Sequence, residues 1–348
     1  MPTIKDVARE AGVSIATVSY VLNGKHSSIS TETRRLVWEA AERIGYMPNA
    51  TARNLRASRS RLIGYEWHEV RSDQINAVLD RFTYHLARSA EEAGYHVLTF
   101  TSPADDPVRV YDELLRTGRV DAFVVSNTRV EDPRIRYLID RGFPFVSFGR
   151  ANPDWEFPWI DCDGRAGIRM AVEHLIAHGH QRIAMLAWPE DSLSGEHRVQ
   201  GYRDALAAHG LPMAEPYLVR GIDENVLAAE ALDRWAALAP DLHPTAVVSV
   251  SDQIAIGLMN QAESRGIAIG RDLSLIGFDD TPTSQHLRPA LTTVRQPIVE
   301  IGAHIMHMLE VLLGRGAEAA APGLMQRLIA PELVERGTVA TVELTAQP

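Results

Sequence analysis

The chain has 348 residues, 45% of them hydrophobic and 23% charged, with a formal net charge of −10. That balance excludes wholesale disorder, the length suggests two or three domains, and no apolar run approaches the ~20 residues of a membrane span. The one cysteine, Cys162, excludes an internal disulfide and a cysteine metal cluster. The first residues, Met1-Pro2-Thr3-Ile4-Lys5-Asp6, lack the apolar core of a signal peptide, so the expected location is cytoplasmic. The acidic total argues, as an average, against nucleic acid. The charge is unevenly spread, however. Residues 1–62 carry ten Lys/Arg against five Asp/Glu, a net of +5. The other 286 carry 25 against 40, a net of −15. A small basic head on a large acidic body suggests a nucleic-acid-binding module joined to something else.

In chain order, Thr3 with Asp6 three residues later starts a first helix, with Ile4, Val7, Ala8 and Ala11 at helical spacing. Gly12 stops it. Ser14 caps a second helix that buries Val18, Val21 and Leu22 and ends at Asn23-Gly24. Two short helices around a tight turn make a helix-turn-helix. A third helix follows Ser30, with Leu36, Val37, Ala40, Ala41 and Ile44 as its apolar stripe, closed by Gly45-Tyr46. Residues 1–47 form this domain, and residues 48–61 a hinge. After Pro48 the hinge reads as a short polar helix, Asn49 to Arg56, too short to be stable alone in water.

From Leu62 strand-like and helix-like runs alternate. They are Leu62–Trp67, a helix from Asp73 to Ala93, His96–Thr101, a helix from Val108 to Thr117, Ala122–Ser126, Pro133–Arg141 and Phe145–Phe148. After Trp159–Asp161 the alternation resumes through Gly164–His178, Ile183–Ala187, Glu196–Ala208, Tyr217–Arg220, Val226–Ala237, Ala246–Ser249, Gln253–Ser264 and Ser274–Gly277. The fold class is α/β: an all-α head and a body, 62–348, of two doubly wound parallel-sheet lobes. Ligands of such sheets sit beyond the carboxyl ends of the strands.

The head resembles the lactose-repressor/galactose-repressor family. The resemblance rests on Thr3-Ile4-Lys5-Asp6-Val7-Ala8, Ala11-Gly12-Val13-Ser14, Thr17-Val18-Ser19, Val21-Leu22-Asn23, Thr33-Arg34 and Ile44-Gly45-Tyr46-Met47-Pro48-Asn49. It implies that the helix after Ser14 enters the major groove, with Ile15, Ala16 and Tyr20 at operator-selecting positions. Ile15 and Ala16 offer only apolar contact to base edges, and Tyr20 can donate or accept. Ile15 as a core residue is the competing reading. Ser14, Thr17, Ser19, Asn23 and Ser30 suit phosphate contacts, which position rather than specify. Ser14 and Ser30 can serve at the same time as helix caps. Thr3 and Asn49 complete the DNA-binding set of the head. In the hinge the resemblance implies that Leu55 inserts into the minor groove as an apolar wedge. Ala52 and Arg53 flank it, and Arg53 and Arg56 are within the basic run that would reach phosphates. A linker whose Leu55 packs on the body is the alternative.

The body carries the same resemblance in Glu173-His174-Leu175-Ile176, His178-Gly179-His180, Arg182-Ile183-Ala184, Arg198 with Gly201-Tyr202, Ser251-Asp252-Gln253 and Ile276-Gly277-Phe278-Asp279-Asp280. Leu291 to Pro297 and Pro331 to Thr338 complete it. The implied fold is that of periplasmic sugar-binding proteins, with three crossings between lobes, expected near Asp161, Pro289 and Pro322. Lobe 1 is then about 62–161 and 290–322, and lobe 2 about 162–289 and 323–340. The effector residues it implies are His68, Arg150, Trp188, Ser192, Arg198, Ser251 and Asp279. Arg198 offers a planar fork to vicinal hydroxyls or an anion, and Asp279 accepts from two hydroxyls. A surface arginine, a strand-end acid and a lone histidine are the plainer readings of Arg150, Asp279 and His68. The chain departs from the family in Glu66-Trp67-His68-Glu69-Val70-Arg71, and in Asp223, which stands where many members place a pocket aromatic. Trp67, Trp155 and Trp188 are offered together as apolar platforms for a sugar, against plain core packing.

Catalysis has little support. His174, His178 and His180 suggest a metal, but Gly179 breaks the helix between them and a Gly-His helix end explains them better. There is no Gly-x-Ser-x-Gly elbow and no phosphate-cradling loop. No catalytic residue, metal or cofactor is expected, and no membrane partner. The resemblance implies a homodimeric repressor of carbohydrate-utilisation genes that binds a palindromic operator and answers to a small molecule, a sugar or glycoside. A nucleoside or purine effector, action as an activator, and a plain solute-binding protein are the alternatives. The stretch after Thr338 has no leucine heptad, so no zipper-joined tetramer is expected.

Overall fold

The computed structural model describes residues 2–22, 29–47, 59–67, 76–190, 192–314 and 325–342. The chain separates into two compact units, Met1–Arg61 and Leu62–Pro348.

The first unit holds helices α1 (Ile4–Ala11), α2 (Ile15–Leu22) and α3 (Thr31–Arg43). Their starts follow from local hydrogen bonds. Thr3 N–H and Oγ1 both donate to Asp6 Oδ2, at 2.9 and 2.7 Å. Those bonds hold the Asp6 carboxyl below the usual range. Ser14 Oγ accepts from Thr17 N–H at 3.1 Å, and Ser30 Oγ from Thr33 N–H at 3.1 Å. Gly12 turns the chain at φ +66°, where a side chain would be strained. Val7, Ala8, Val18, Val21, Leu22, Val37, Ala40 and Ala41 form the core. Leu36 falls outside it at 40% exposure, because it lies at the edge of the arc that Val37, Ala40 and Ala41 centre on the other helices.

The second unit contains two six-stranded sheets. The first has the order β11-β5-β4-β3-β1-β2, from β1 (Leu62–Glu66), β2 (His96–Phe100), β3 (Ala122–Val125), β4 (Phe145–Phe148), β5 (Trp159–Cys162) and β11 (Gln326–Ile329), all parallel. The second has the order β12-β10-β9-β8-β6-β7, from β6 (Ile183–Ala187), β7 (Leu218–Arg220), β8 (Ala246–Ser249), β9 (Ser274–Asp279), β10 (Thr292–Arg295) and β12 (Glu332–Val334). Among the described strands only β12 runs antiparallel, to β10. Strands β3, β4, β6, β8 and β9 are buried along their whole length, as parallel strands covered on both faces by helices must be.

The helices of this unit are α4 (Ala77–Glu92), α5 (Arg109–Arg116), α6 (Pro133–Arg141), α7 (Gly164–Ala177), α8 (Leu193–Ala208), α9 (Glu224–Ala236), α10 (Asp252–Ser264) and α11 (Ile298–Leu312). Helix α11 packs on α4, β4 and β5, so it belongs to the first lobe. The chain therefore crosses between lobes after Cys162, at Gln296–Pro297 and at Ala330–Pro331. The second and third crossings lie later than the expected positions near Pro289 and Pro322. Pro289 only turns the chain into β10, which pairs with β9 in the second lobe. Residues 326–329 still pair with β5 in the first.

Candidate functional site

The carboxyl ends of the strands of both lobes place their next residues around one region of the body. From β4 come Gly149 and Arg150, and from β5 comes Asp161. From the second lobe come Trp188 after β6, Ser251 after β8, Asp279 at the end of β9 and Gln296 after β10. Gly149 sits at φ +106°, and a Cβ there would lie 2.6 Å from Thr128 Oγ1, so this turn requires glycine.

Arg198, on α8, is nine-tenths buried. Its guanidinium carbon lies 5.0 Å from the Trp188 ring centroid and 3.7 Å from that of Phe278. Such stacking holds the planar fork in one orientation. Nη1 donates to the Val250 carbonyl. Nε, packed against Gly164, has no hydrogen-bond partner among the described residues. Asp279 is also buried, and Gln296 Nε2 donates to its Oδ1 at 2.7 Å. Burial pushes the Asp279 carboxyl up towards neutrality, against the opposing pull of Arg198. Arg150 Nε donates to Asp161 Oδ2 at 3.1 Å, with its guanidinium 5.4 Å from the Trp159 ring centroid. Ser194 Oγ on α8 donates to the same Asp161 oxygen at 3.3 Å, a bond that spans the two lobes. Burial raises the Asp161 carboxyl, and Arg150 opposes that.

Of the expected effector residues, Arg150, Trp188, Ser192, Arg198, Ser251 and Asp279 stand at these strand ends and helix starts. Ser192 and Ser251 also cap α8 and α10, accepting from Gly195 N–H at 3.1 Å and Ile254 N–H at 3.3 Å. Each keeps its hydroxyl hydrogen to donate. His68 lies outside the described residues. Of the three tryptophans offered as platforms, Trp188 stacks on Arg198, while Arg150 meets a different tryptophan, Trp159. Trp155 packs in the first lobe's smaller core beneath Arg136, and Trp67 is 44% exposed. The joint platform of Trp67, Trp155 and Trp188 is therefore not assembled. Asp223 caps α9 instead of facing a ring, accepting from Asn225 and Val226 N–H at 3.1 and 3.0 Å. Glu66, in the stretch that departs from the family, is absorbed by a buried ion pair: its Oε2 accepts from Arg134 Nη1 at 2.6 Å and from Tyr111 Oη at 3.1 Å.

Asp161, Ser194, Gln296 and Asp252 are not among the expected effector residues, although Gln296 and Asp252 lie inside runs that carry the family resemblance; each stands near a strand end or a helix start. The histidines are accounted for locally. The His174 and His178 rings lie 4.3 Å apart, and His180 bridges Thr245 Oγ1 at 2.9 Å and the Ala340 carbonyl at 3.0 Å. Among the described residues no group of three His, Cys, Asp or Glu could hold a metal ion.

In the head, Ile15 and Tyr20 project from α2 at 46% and 52% exposure, and Ala16 beside them is exposed. Ile15 is thus not a core residue. Thr3, Ser14 and Ser30 are exposed at helix starts, and Thr17 and Ser19 are half-buried. Asn23, Asn49, Ala52, Arg53 and Leu55 lie outside the described residues.

Residues 3–49 match the lacI family of bacterial regulatory proteins, and residues 172–339 match a periplasmic binding protein-like domain. The HTH-type transcriptional regulator GalR of Escherichia coli K12 is 33% identical over 351 residues, covering 99% of this chain and 98% of its own. The crystal structure of the lac repressor dimer bound to operator and the anti-inducer ONPF is 26% identical with a TM-score of 0.80, covering 97% and 99% of the two chains. A complex of the transcriptional regulator CelR with cellobiose is 26% identical with a TM-score of 0.71, covering 97% and 100%.

Proposed function

The chain belongs to the LacI family, sequence-specific DNA-binding transcription regulators that answer to a small molecule, and from that premise we propose that its effector is an uncharged sugar or glycoside. The observation that carries this reading is the charge balance at the strand ends. Arg150 already meets Asp161, and Arg198 faces Asp279. A phosphorylated or carboxylated ligand would bring a further anion beside the Asp161 and Asp279 carboxyls, whose burial already disfavours negative charge there. A polyol instead offers hydroxyls that donate to Asp279 and Asp161 and accept from Arg198 Nε, the buried donor left over. The cellobiose bound by CelR supports the same class. We assign the site to binding and no residue of it to catalysis.

The head is proposed to read a palindromic operator as a homodimer, with Ile15, Ala16 and Tyr20 towards base edges and Thr3, Ser14, Thr17, Ser19, Asn23, Ser30, Asn49 and Arg53 towards the backbone. Leu55, beside Ala52, is proposed as the minor-groove wedge. The site of action is proposed to be the cytoplasm; among the described residues no helix is long and apolar enough to cross a membrane. Carbohydrate-utilisation genes are the proposed targets, with repression as the direction. The effector must bind the two lobe arrangements with different affinity, since equal affinity shifts no population.

A thermal-shift screen of the full chain tests the effector class. Glucose, galactose, lactose and cellobiose are set against glucose 6-phosphate, glucuronate and purine nucleosides. Stabilisation by one of the neutral sugars alone is expected. Stabilisation only by a phosphorylated sugar, a sugar acid or a nucleoside would overturn it.

A further inference from the structure

Two consecutive non-glycine residues at the end of β9 hold left-handed backbone, Asp279 at φ +127° and Asp280 at φ +50°. Such angles persist only where the surroundings impose them. The imposing group is Asp252, which opens α10 and is completely buried. Its Oδ2 accepts from Thr281 N–H at 2.7 Å and from Thr281 Oγ1 at 3.0 Å. Its Oδ1 accepts from Thr293 Oγ1 at 2.5 Å, and Thr293 Oγ1 in turn accepts from Asp280 N–H at 3.3 Å. The space is tight: a Cβ on Gly277 would collide with Asp252 Oδ1. The Asp280 carboxylate points away from Asp279, held by Arg295 Nε at 2.6 Å and by Arg336.

We propose that Asp252 is a positioning residue for effector recognition: its carboxylate clamps the left-handed turn from both sides and so presents the Asp279 carboxylate to the ligand. This rests on the reading that Asp279 contacts the effector. A lone buried aspartate of purely architectural value would be satisfied by hydrogen bonds anywhere in the core. This one accepts two from Thr281, directly after Asp280, and the third from Thr293 on β10, whose Oγ1 in turn holds the Asp280 N–H. The charged groups facing Asp279 are Arg198 from α8 and Asp252 from α10, and on β5 the Cys162 thiol feels the Asp279 charge. Removing the Asp252 charge therefore relieves a like-charge repulsion on Asp279, and removing its acceptors frees the turn.

The test uses the full chain labelled with ¹³C at aspartate carboxyls, the Asp279 signal being assigned with Asp279→Asn. Its carboxyl is titrated without ligand, in the parent protein and in Asp252→Asn. The sugar probes are glucose, galactose, lactose and cellobiose, read by calorimetry, and operator binding is read without sugar. In Asp252→Asn the Asp279 midpoint is expected to fall by a pH unit or more. Affinity for the bound sugar is expected to fall tenfold or more, with operator affinity changed less than twofold. Thr281→Val keeps the charge and removes one donor. There the Asp252 midpoint is expected to rise and sugar affinity to fall, and this variant decides the matter should Asp252→Asn not fold. An unmoved Asp279 midpoint, or a sugar affinity equal to the parent's in both variants, would overturn the proposal. Should Asp279→Asn bind sugar as the parent does, the effector reading itself fails, while the ligand-free midpoints still show whether Asp252 holds the turn.

Discussion

Asp279 carries two opposed demands. The proposed role asks a buried carboxylate to accept from ligand hydroxyls, and such a group is costly to the fold when ionised. Burial raises its pKa from 3.8 to about 7, so the folded chain holds a proton between about pH 4 and pH 7 that the unfolded chain has lost. Stability from this group is therefore fully present below about pH 4 and declines as pH rises through about 7. Asp279→Asn is expected to unfold several degrees higher than the parent at pH 8 and at the same temperature at pH 4, as thermal unfolding at the two pH values will show. Sugar affinity should follow the opposite sign, weakening as pH falls through about 7, because protonation turns one acceptor site of the carboxylate into a donor. Arg198 lies against two aromatic rings, and a lysine has no planar fork to stack there and donate from. Arg198→Lys is expected to weaken sugar binding at least tenfold by calorimetry and to leave sugar-free operator affinity unchanged. Arg198 and Asp279 stand at motif positions that mark them as candidate effector contacts. Asp252 and Asp161 carry no such mark, because what they pair with depends on which strand ends meet, and no spacing in the chain encodes that.

At the scale of elements, helix starts hold Ser192 and Ser251, two expected effector residues, and Asp223, which stands where many family members place a pocket aromatic. Ser192, Ser251 and Asp223 each satisfy helix N–H groups. Losing such a cap costs about 0.5–2 kcal/mol. Asp223→Ala is accordingly expected to lower the unfolding temperature by a few degrees while leaving sugar affinity within twofold, which separates a cap from a pocket wall. Most strands and helices of the body were readable from alternation alone. The crossings were not, since Pro289 and Pro322 are turn formers in the chain but carry no information on which sheet the following strand joins. Pairing of β10 with β9, and of β11 with β5, decides it. The tryptophans failed as a group for a similar reason. An indole near a strand end suits either core or cleft, and only the surrounding layer decides.

For the molecule as a whole, the charge split of +5 in residues 1–62 against −15 in the remainder is a statement about salt. DNA attraction must come from the head and hinge, against repulsion from the body. Two heads neutralising six to ten phosphates between them would lose about 10³- to 10⁵-fold in operator affinity between 50 and 200 mM salt. A slope measured by fluorescence anisotropy over that range checks this, and a flat dependence would remove the head from the account. Leu55→Ala should weaken the specific complex strongly with little change in that slope, since the wedge carries no charge.

The most direct measurement is operator affinity of the full chain on the DNA upstream of its own gene, by anisotropy, with and without saturating neutral sugar. One such sugar is expected to change the affinity at least tenfold in the parent and less than twofold in Arg198→Lys at the same sugar concentration. Equal responses in parent and variant, or a response to phosphorylated sugars or nucleosides alone, would contradict it.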